Sequence, residues 1–130
     1  MNEVYEFLKK CNTYYLATVE GDQPRVRPFG TINLYDGKLY IQTGKKKDVS
    51  KQLGINPKAE ISAFDGQQWI RIAATLVNDD SIDAKRDMLE NYPNLKAMYD
   101  AEDDNTQVLY LKDAVATFSS FSAPPRTIKF

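Results

Sequence analysis

The chain has 130 residues, of which 42% are hydrophobic, and this size predicts one folded domain with a single core and no second domain. Its 17 basic and 18 acidic residues give a formal net charge of -1, so no overall positive field would attract nucleic acid or a membrane surface. Any site for an anion must therefore be local.

Two residue counts narrow the chemistry further. The sequence has no histidine, which excludes Ser-His and Cys-His nucleophilic pairs, histidine metal sites and histidine-ligated haem. An enzyme of this composition would take its chemistry from a cofactor. Cys11 is the only cysteine, which excludes an internal disulfide and favours a reducing compartment. With no signal peptide pattern and no membrane-spanning apolar run, we expect a cytoplasmic protein without membrane contact.

The first two predicted elements are a helix and a strand. Four residues recur at helical spacing within the first dozen: Val4, Phe7, Leu8 and Cys11. This pattern predicts a short amphipathic helix with one buried face. Residues 14–19 are rich in aromatic and β-branched side chains, which indicates a strand, and residues 20–24 have the composition of a turn.

The second predicted strand, residues 25–34, contains two residues that interrupt a regular sheet. Pro28 donates no ladder hydrogen bond and Gly30 has no side chain to pack, so we expect a bend, a bulge or the close approach of a non-protein group. Alternation along the strand places three side chains on one face: Arg25, Arg27 and Phe29.

A strand and three lysines follow a tight turn. Residues 35–37 predict a hairpin that pairs the next strand, residues 38–43, with the bent one and brings Arg27 towards the lysines. The lysines, residues 45–47, precede a segment of helical spacing that should end near Gly54. Lysine side chains and the N–H groups of a helix start both attract anions, so one interpretation is a phosphate site. The alternative is a solvated loop.

The rest of the chain predicts four strands and two helical segments. Residues 58–64 and 67–78 alternate apolar and polar side chains around an Asp-Gly turn. Residues 79–81 offer N-cap side chains for a helix to about Asn91, with a shorter helical turn beyond it. Residues 106–111 and 114–121 predict two more strands. About seven strands that do not alternate regularly with helices predict a mainly β fold with peripheral helices, a small antiparallel barrel.

The order of these elements and three short signatures resemble the FMN-binding split-barrel proteins related to pyridoxamine 5'-phosphate oxidase. The signatures are PRVRPFG at residues 24–30, GKLYIQT at residues 37–43 followed by a lysine pair and Asn56-Pro57, and QWIRI at residues 68–72. Their order and spacing, which extend over nearly the whole chain, carry the resemblance. It implies an antiparallel split β-barrel that forms a homodimer, with FMN bound at the interface.

The resemblance also implies which residues contact the flavin. Arg27 and the pair Lys46 and Lys47 match positions at the FMN phosphate. Three residues match the backbone beside the flavin ring: Pro28, Phe29 and Gly30. Three match the strand end at the isoalloxazine and ribityl groups: Ile41, Gln42 and Thr43. Gln68 matches a glutamine of the flavin site, and we add its neighbour Trp69 as a weaker candidate.

The implied function is an FMN-dependent oxidoreductase with a small-molecule electron donor and acceptor. True pyridoxamine phosphate oxidases bind the substrate phosphate with a C-terminal arginine and histidine motif, which this chain lacks, so we expect no pyridoxal phosphate synthesis. The resemblance is closer to the short general-stress and nitroimidazole-resistance-like members. The tail around Phe121 and Arg126 is expected to cover the flavin of the partner subunit.

Two alternatives to an oxidoreductase stay open at this point. One is a flavin-binding or sensing protein that carries out no catalysis. The other is an OB-like barrel that binds single-stranded nucleic acid through its tyrosines, phenylalanines and lysine loop. The net acidity and the localised extent of the basic cluster argue against nucleic acid.

Overall fold

The computed structural model describes residues 1–130, which form one antiparallel sheet with helices packed around it. The helices are α1 (Asn2–Cys11), α2 (Asp48–Ile55) and α3 (Ile82–Asn91), followed by a 3₁₀ turn over Pro93–Ala97. The strands are β1 (Tyr14–Glu20), β2 (Gln23–Phe29), β3 (Asn33–Tyr35), β4 (Lys38–Gly44), β5 (Lys58–Phe64), β6 (Gln68–Asp79), β7 (Thr106–Ser120) and β8 (Arg126–Lys129). None of the helices combines the length and the apolar character that crossing a bilayer requires.

The sheet is a split barrel. Its strands follow the order β2-β1-β5-β6-β7-β4-β3, with β8 added to β7. Strands β2 and β3 are neighbours in the chain, yet they lie at opposite ends of this path, and no ladder of hydrogen bonds joins them. The sheet therefore curls without closing. This architecture confirms the predicted fold class, a mainly β protein with peripheral helices and an antiparallel split β-barrel.

The bend predicted at Pro28 and Gly30 is a break between two strands. The ladder between β1 and β2 ends at the pair Tyr14 and Phe29, and the chain then crosses to the opposite end of the sheet, where β3 begins at Asn33. The prediction of a single strand over residues 25–34 is therefore wrong. Pro28 stays in the ladder opposite Tyr15, and the strand ends at Phe29, directly before Gly30.

The hairpin between β3 and β4 is confirmed, but it does not carry Arg27 to the lysines. Strand β4 pairs only with β3 on that side, and Arg27 lies opposite Leu16 of β1. Helix α2 packs against both β1 and β4, and this packing brings the residue before α2 near Arg27. The predicted pairing holds for residues 33–35 only, and Arg27 lies near Lys47 through the packing of α2 instead.

The C-terminal strands differ most from the prediction. Residues 106–111 and 114–121, predicted as two strands, belong to the single 15-residue strand β7. Asp113 has a positive φ of 53° and lies where the register between β6 and β7 shifts. The polar residues between the two predicted strands therefore form a β-bulge inside one continuous strand. Residues 126–129, predicted as a tail, form β8 on the edge of β7.

The core fills the inside of the curled sheet. Alternate residues of β5 and β6, including Ile61, Ile70 and Ile72, are buried together with Val4 and Leu8 of α1. These positions agree with the predicted alternation and with the predicted buried face of the first helix. Cys11 packs against the edge of the same core. The packing leaves one edge of the barrel, where β2 ends and α2 begins, open to a ligand.

Candidate functional site

A cleft of about 340 Å³ lies where the end of β2, the end of β4, the start of α2 and the segment after α3 meet. Seven of the eleven predicted cofactor-binding residues line it: Arg27, Pro28, Phe29, Gly30, Gln42, Thr43 and Lys47. These residues come from three separate stretches of the sequence. The fold therefore gathers most of the predicted site into one place.

One wall of the cleft is the crossing segment at residues 30–32, which hydrogen bonds from three residues hold in place. The Tyr14 hydroxyl donates to the Thr31 carbonyl at 2.5 Å, and the backbone N–H of Gln42 donates to Thr31 Oγ1 at 3.0 Å. The Tyr92 hydroxyl accepts from the Ile32 N–H and donates to the Ile32 carbonyl, both at 3.0 Å. These contacts replace the ladder that the break between β2 and β3 removes.

Gly30 leaves a stretch of backbone in that wall without a side chain to cover it. A Cβ at this position would meet only the Asn12 carbonyl oxygen, at 3.7 Å, and Gly30 is not among the glycines with positive φ. Neither packing nor backbone conformation therefore requires glycine here. The N–H groups of Gly30 and Thr31 have no hydrogen-bond partner in the chain. Both N–H groups can therefore donate to a ligand in the cleft.

Arg27 carries a positive charge that forms no ion pair within the chain, and the one carboxylate that favours its charged form is that of Asp48. Its guanidinium is half-buried and hydrogen-bonds to Thr18, Gln52 and the Leu16 carbonyl, all of which are neutral. Seven ion pairs form in the chain, and none includes Arg27. Burial lowers the pKa of Arg27, and the nearby charge of Arg25 lowers it further. A cation held this way in a cleft is a site for an anion.

The three lysines diverge instead of acting together. Lys45 forms an ion pair with Asp80 at 3.4 Å. Lys46 is exposed outside the cleft, and its backbone N–H donates to Asn105 Oδ1. Lys47, the residue before α2, lines the cleft and has no carboxylate partner. Only the third lysine of the triplet is thus placed beside Arg27, at a helix start whose first N–H groups receive no side-chain cap.

Four predicted residues do not line the cleft of their own chain. Lys46 is one of them, and Ile41 is another, because the Ile41 side chain is fully buried in the barrel core. Gln68 lines a separate cavity of about 80 Å³ near β8. The Trp69 ring packs on Phe121, with 5.1 Å between centroids. Within one chain the structure therefore does not bring these four to the site.

A further wall of the cleft, formed by the segment after α3, was not predicted from the sequence. Five residues of the segment after α3 line the cleft: Tyr92, Asn94, Leu95, Met98 and Tyr99. The segment lies close over the end of β4, because a Cβ at Gly44 would come within 3.0 Å of the Tyr99 hydroxyl oxygen. A glycine directly before the lysines was the available signal for this close packing.

Fold and site together define a split-barrel protein with a cleft that combines an arginine without an ion-pair partner, a helix start and backbone N–H groups without partners. The chain belongs to the pyridoxamine 5'-phosphate oxidase family, whose model matches residues 1–119. The family identified from the sequence signatures is thus confirmed. None of the curated proteins matches the chain.

Solved structures from several bacteria are similar to the chain. A NimC/NimA family protein from Clostridium acetobutylicum is 45% identical, with a TM-score of 0.96, and the match covers 100% of this chain and 92% of that one. General Stress Protein 26 from Bacillus anthracis is 17% identical, with a TM-score of 0.77 and coverage of 98% and 97%. A pyridoxamine 5'-phosphate oxidase-related, FMN binding protein from Nostoc punctiforme is 14% identical, with a TM-score of 0.61 and coverage of 98% and 92%. The last two similarities show the shared fold.

Proposed function

We propose that the cleft binds FMN, with the phosphate at Arg27, Lys47 and the start of α2 and the flavin ring against the backbone at Gly30. The half-buried Arg27 guanidinium, which has no carboxylate partner, is the observation that carries the proposal. A related split-barrel protein is described as FMN binding, which supports the same choice of ligand.

The chemistry of the cleft fits an amphiphilic ligand. Its lining includes two cationic side chains, Arg27 and Lys47, and apolar side chains such as Phe29, Leu95 and Met98. A phosphate suits the cationic residues because arginine, lysine and helix-start N–H groups all favour anions. An aromatic ring system suits the apolar side chains.

Bound FMN would supply electron transfer between a reduced small-molecule donor and an acceptor. The chain's own residues would hold and orient it. The free N–H groups of Gly30 and Thr31 offer donors to the edge of the ring, and the cations fix the phosphate. No aspartate, glutamate or cysteine lines the cleft, so we assign no general acid or base. This proposal describes an FMN-dependent oxidoreductase that is not a pyridoxamine phosphate oxidase.

We further infer that two copies of the chain associate through the outward face of the sheet. Four apolar side chains are exposed on or beside this face: Tyr15, Val26, Phe64 and Phe121. Tyr15 lies opposite Pro28 of β2 and Ser62 of β5, so the exposed side chains belong to adjacent strands. Contiguous apolar surface of this kind marks association sites. In such a homodimer, Gln68, Trp69 and the C-terminal residues would reach the flavin of the partner subunit.

Loading the protein with flavin tests the proposed function. We expect the flavin-free protein to bind FMN more tightly than riboflavin, because only FMN carries the phosphate. Anaerobic addition of NADH or NADPH to the FMN-loaded protein should then bleach the flavin absorbance, and admission of an acceptor should restore it. Retained FMN that neither nucleotide reduces would instead identify a non-catalytic flavin-binding protein. Failure to bind either flavin would refute the site.

A further inference from the structure

A buried glutamine on α2 holds the guanidinium of Arg27. Gln52 is only 6% exposed, and its Oε1 accepts from Arg27 Nη2 and from the Thr18 hydroxyl, both at 2.6 Å. Thr18 Oγ1 in turn accepts from Arg27 Nη1 at 2.7 Å. Arginine only donates hydrogen bonds, so the amide oxygen of Gln52 must face it. The three side chains form a closed triangle that joins β1, β2 and α2.

All of the acceptors in this arrangement are uncharged. Besides Gln52 and Thr18, the Leu16 carbonyl accepts from Arg27 Nη1 at 3.2 Å, and no carboxylate takes part. The Nε–H of Arg27 makes no hydrogen bond in the chain, so a donor remains for a ligand. The guanidinium is therefore fixed in position while its charge and part of its hydrogen-bonding capacity stay available.

The same helix carries the second cation of the cleft. Lys47 directly precedes α2, and Gln52 follows on the buried side of that helix. Arg27, which belongs to the edge strand β2, is thus tied to the element that presents Lys47. An anion held between Arg27 and Lys47 would contact two groups whose relative position Gln52 sets.

We propose that Gln52 and Thr18 are positioning residues for phosphate recognition. They hold Arg27 at the cleft with neutral acceptors, and they thereby create the preference for a phosphorylated over an unphosphorylated flavin. This inference rests on the proposed function and adds two residues that contact Arg27 from behind. A glutamate at position 52 would keep the geometry of the triangle but cancel the charge of the guanidinium.

The test compares Gln52→Glu, Gln52→Leu and Thr18→Val with the wild type. Dissociation constants for FMN and for riboflavin are measured by quenching of flavin fluorescence on the flavin-free protein, and inorganic phosphate is titrated as a competitor of FMN. We expect Gln52→Glu to reduce the ratio of FMN affinity to riboflavin affinity by roughly tenfold or more, and to weaken phosphate competition equally. Riboflavin affinity should stay within about twofold of the wild type, because the phosphate contact makes no contribution to it.

Gln107→Glu is the matched control, since Gln107 also bonds α2, through Ser50 at 2.6 Å, but does not line the cleft. We expect this variant to keep the wild-type FMN to riboflavin ratio. Gln52→Leu removes the hydrogen-bond acceptor without adding charge, and Thr18→Val removes the hydroxyl while keeping the shape of the side chain. These two variants test the positioning role if Gln52→Glu does not fold. Both should reduce the ratio.

The possible outcomes separate the inference from the function on which it rests. A wild-type ratio in Gln52→Glu, or in both of the other variants, would overturn the positioning role while FMN binding stands. Equal wild-type affinity for FMN and riboflavin would also overturn it. A wild type that binds neither flavin would refute the proposed function, and that result is visible before any variant is made.

Discussion

Removing the charge of Lys47, but not that of Lys45, should weaken FMN binding. The two residues lie in the same lysine triplet, and replacing either by glutamine removes one charge from the same loop. Only Lys47 lines the cleft, whereas Lys45 is engaged by Asp80 at 3.4 Å. Lys45→Gln is therefore a matched control for any general effect of net charge.

The size of the effect follows from the exposure of Lys47. A hydrogen bond to a charged group contributes roughly 1.5 to 3 kcal/mol, and because the Lys47 residue is exposed to solvent we take the lower limit. About 1.5 kcal/mol corresponds to a roughly tenfold increase in the dissociation constant for FMN. Lys47→Glu adds repulsion and should exceed this loss. The Lys45→Gln variant should stay within about twofold of the wild type.

Fluorescence titration of the flavin-free proteins measures the dissociation constant for FMN and the dissociation constant for riboflavin. Riboflavin should bind the wild type and the variants alike, because it has no phosphate for Lys47 to contact. Equal FMN affinity in Lys47→Gln and the wild type would refute the assignment of Lys47 to the phosphate. Equal losses in Lys45→Gln and Lys47→Gln would show a diffuse charge effect instead of a contact.

Three further outcomes are expected. Gly30→Leu should abolish FMN binding while the thermal midpoint stays nearly unchanged, since a Cβ there meets only one atom of the protein; a large fall in the midpoint would contradict this. Backbone N–H groups of Gln68 and Gln67 lower the pKa of Asp65 to about 2, so this carboxylate stabilises the fold above its unfolded value of about 3.9. Urea unfolding should show that the loss of unfolding free energy in Asp65→Asn is constant above about pH 5 and shrinks as the pH falls through about 4 towards 2; a loss that does not shrink over this range would exclude this cause. Tyr15→Glu should yield folded monomers in light scattering, and an unchanged dimer would place the interface elsewhere.

Much of the fold could be predicted because alternation and turn chemistry are local signals. Ile70 and Ile72 are buried, and Trp69, on the other face of the strand, is more exposed than they are. This alternation follows directly from strand geometry. The bulge at Asp113 could not be predicted, because an aspartate that adopts a positive φ is found in turns as well as in bulges, and the sequence does not distinguish the two. Strand β8 was not predicted, because its four residues form a strand only by pairing with β7 in the folded sheet.

The site was predictable where it depends on special residues and not where it depends on tertiary packing. Gly30 was identified by the break beside it, and the pair Lys46 and Lys47 by the helix start that follows. The sequence cannot separate Lys46 from Lys47, because the direction of each side chain is set by the turn before α2. Gln52 looks like an ordinary helix residue until Arg27 packs against it. The single-domain organisation and the cytoplasmic location remain predictions from the sequence.

The visible absorption spectrum of the freshly purified protein tests the central claim most directly. If the cleft holds FMN, the protein is yellow, and the flavin released on denaturation carries its phosphate. If the purified protein is colourless and added FMN shows neither a spectral shift nor fluorescence quenching, the cleft at Arg27 and Gly30 is not a flavin site.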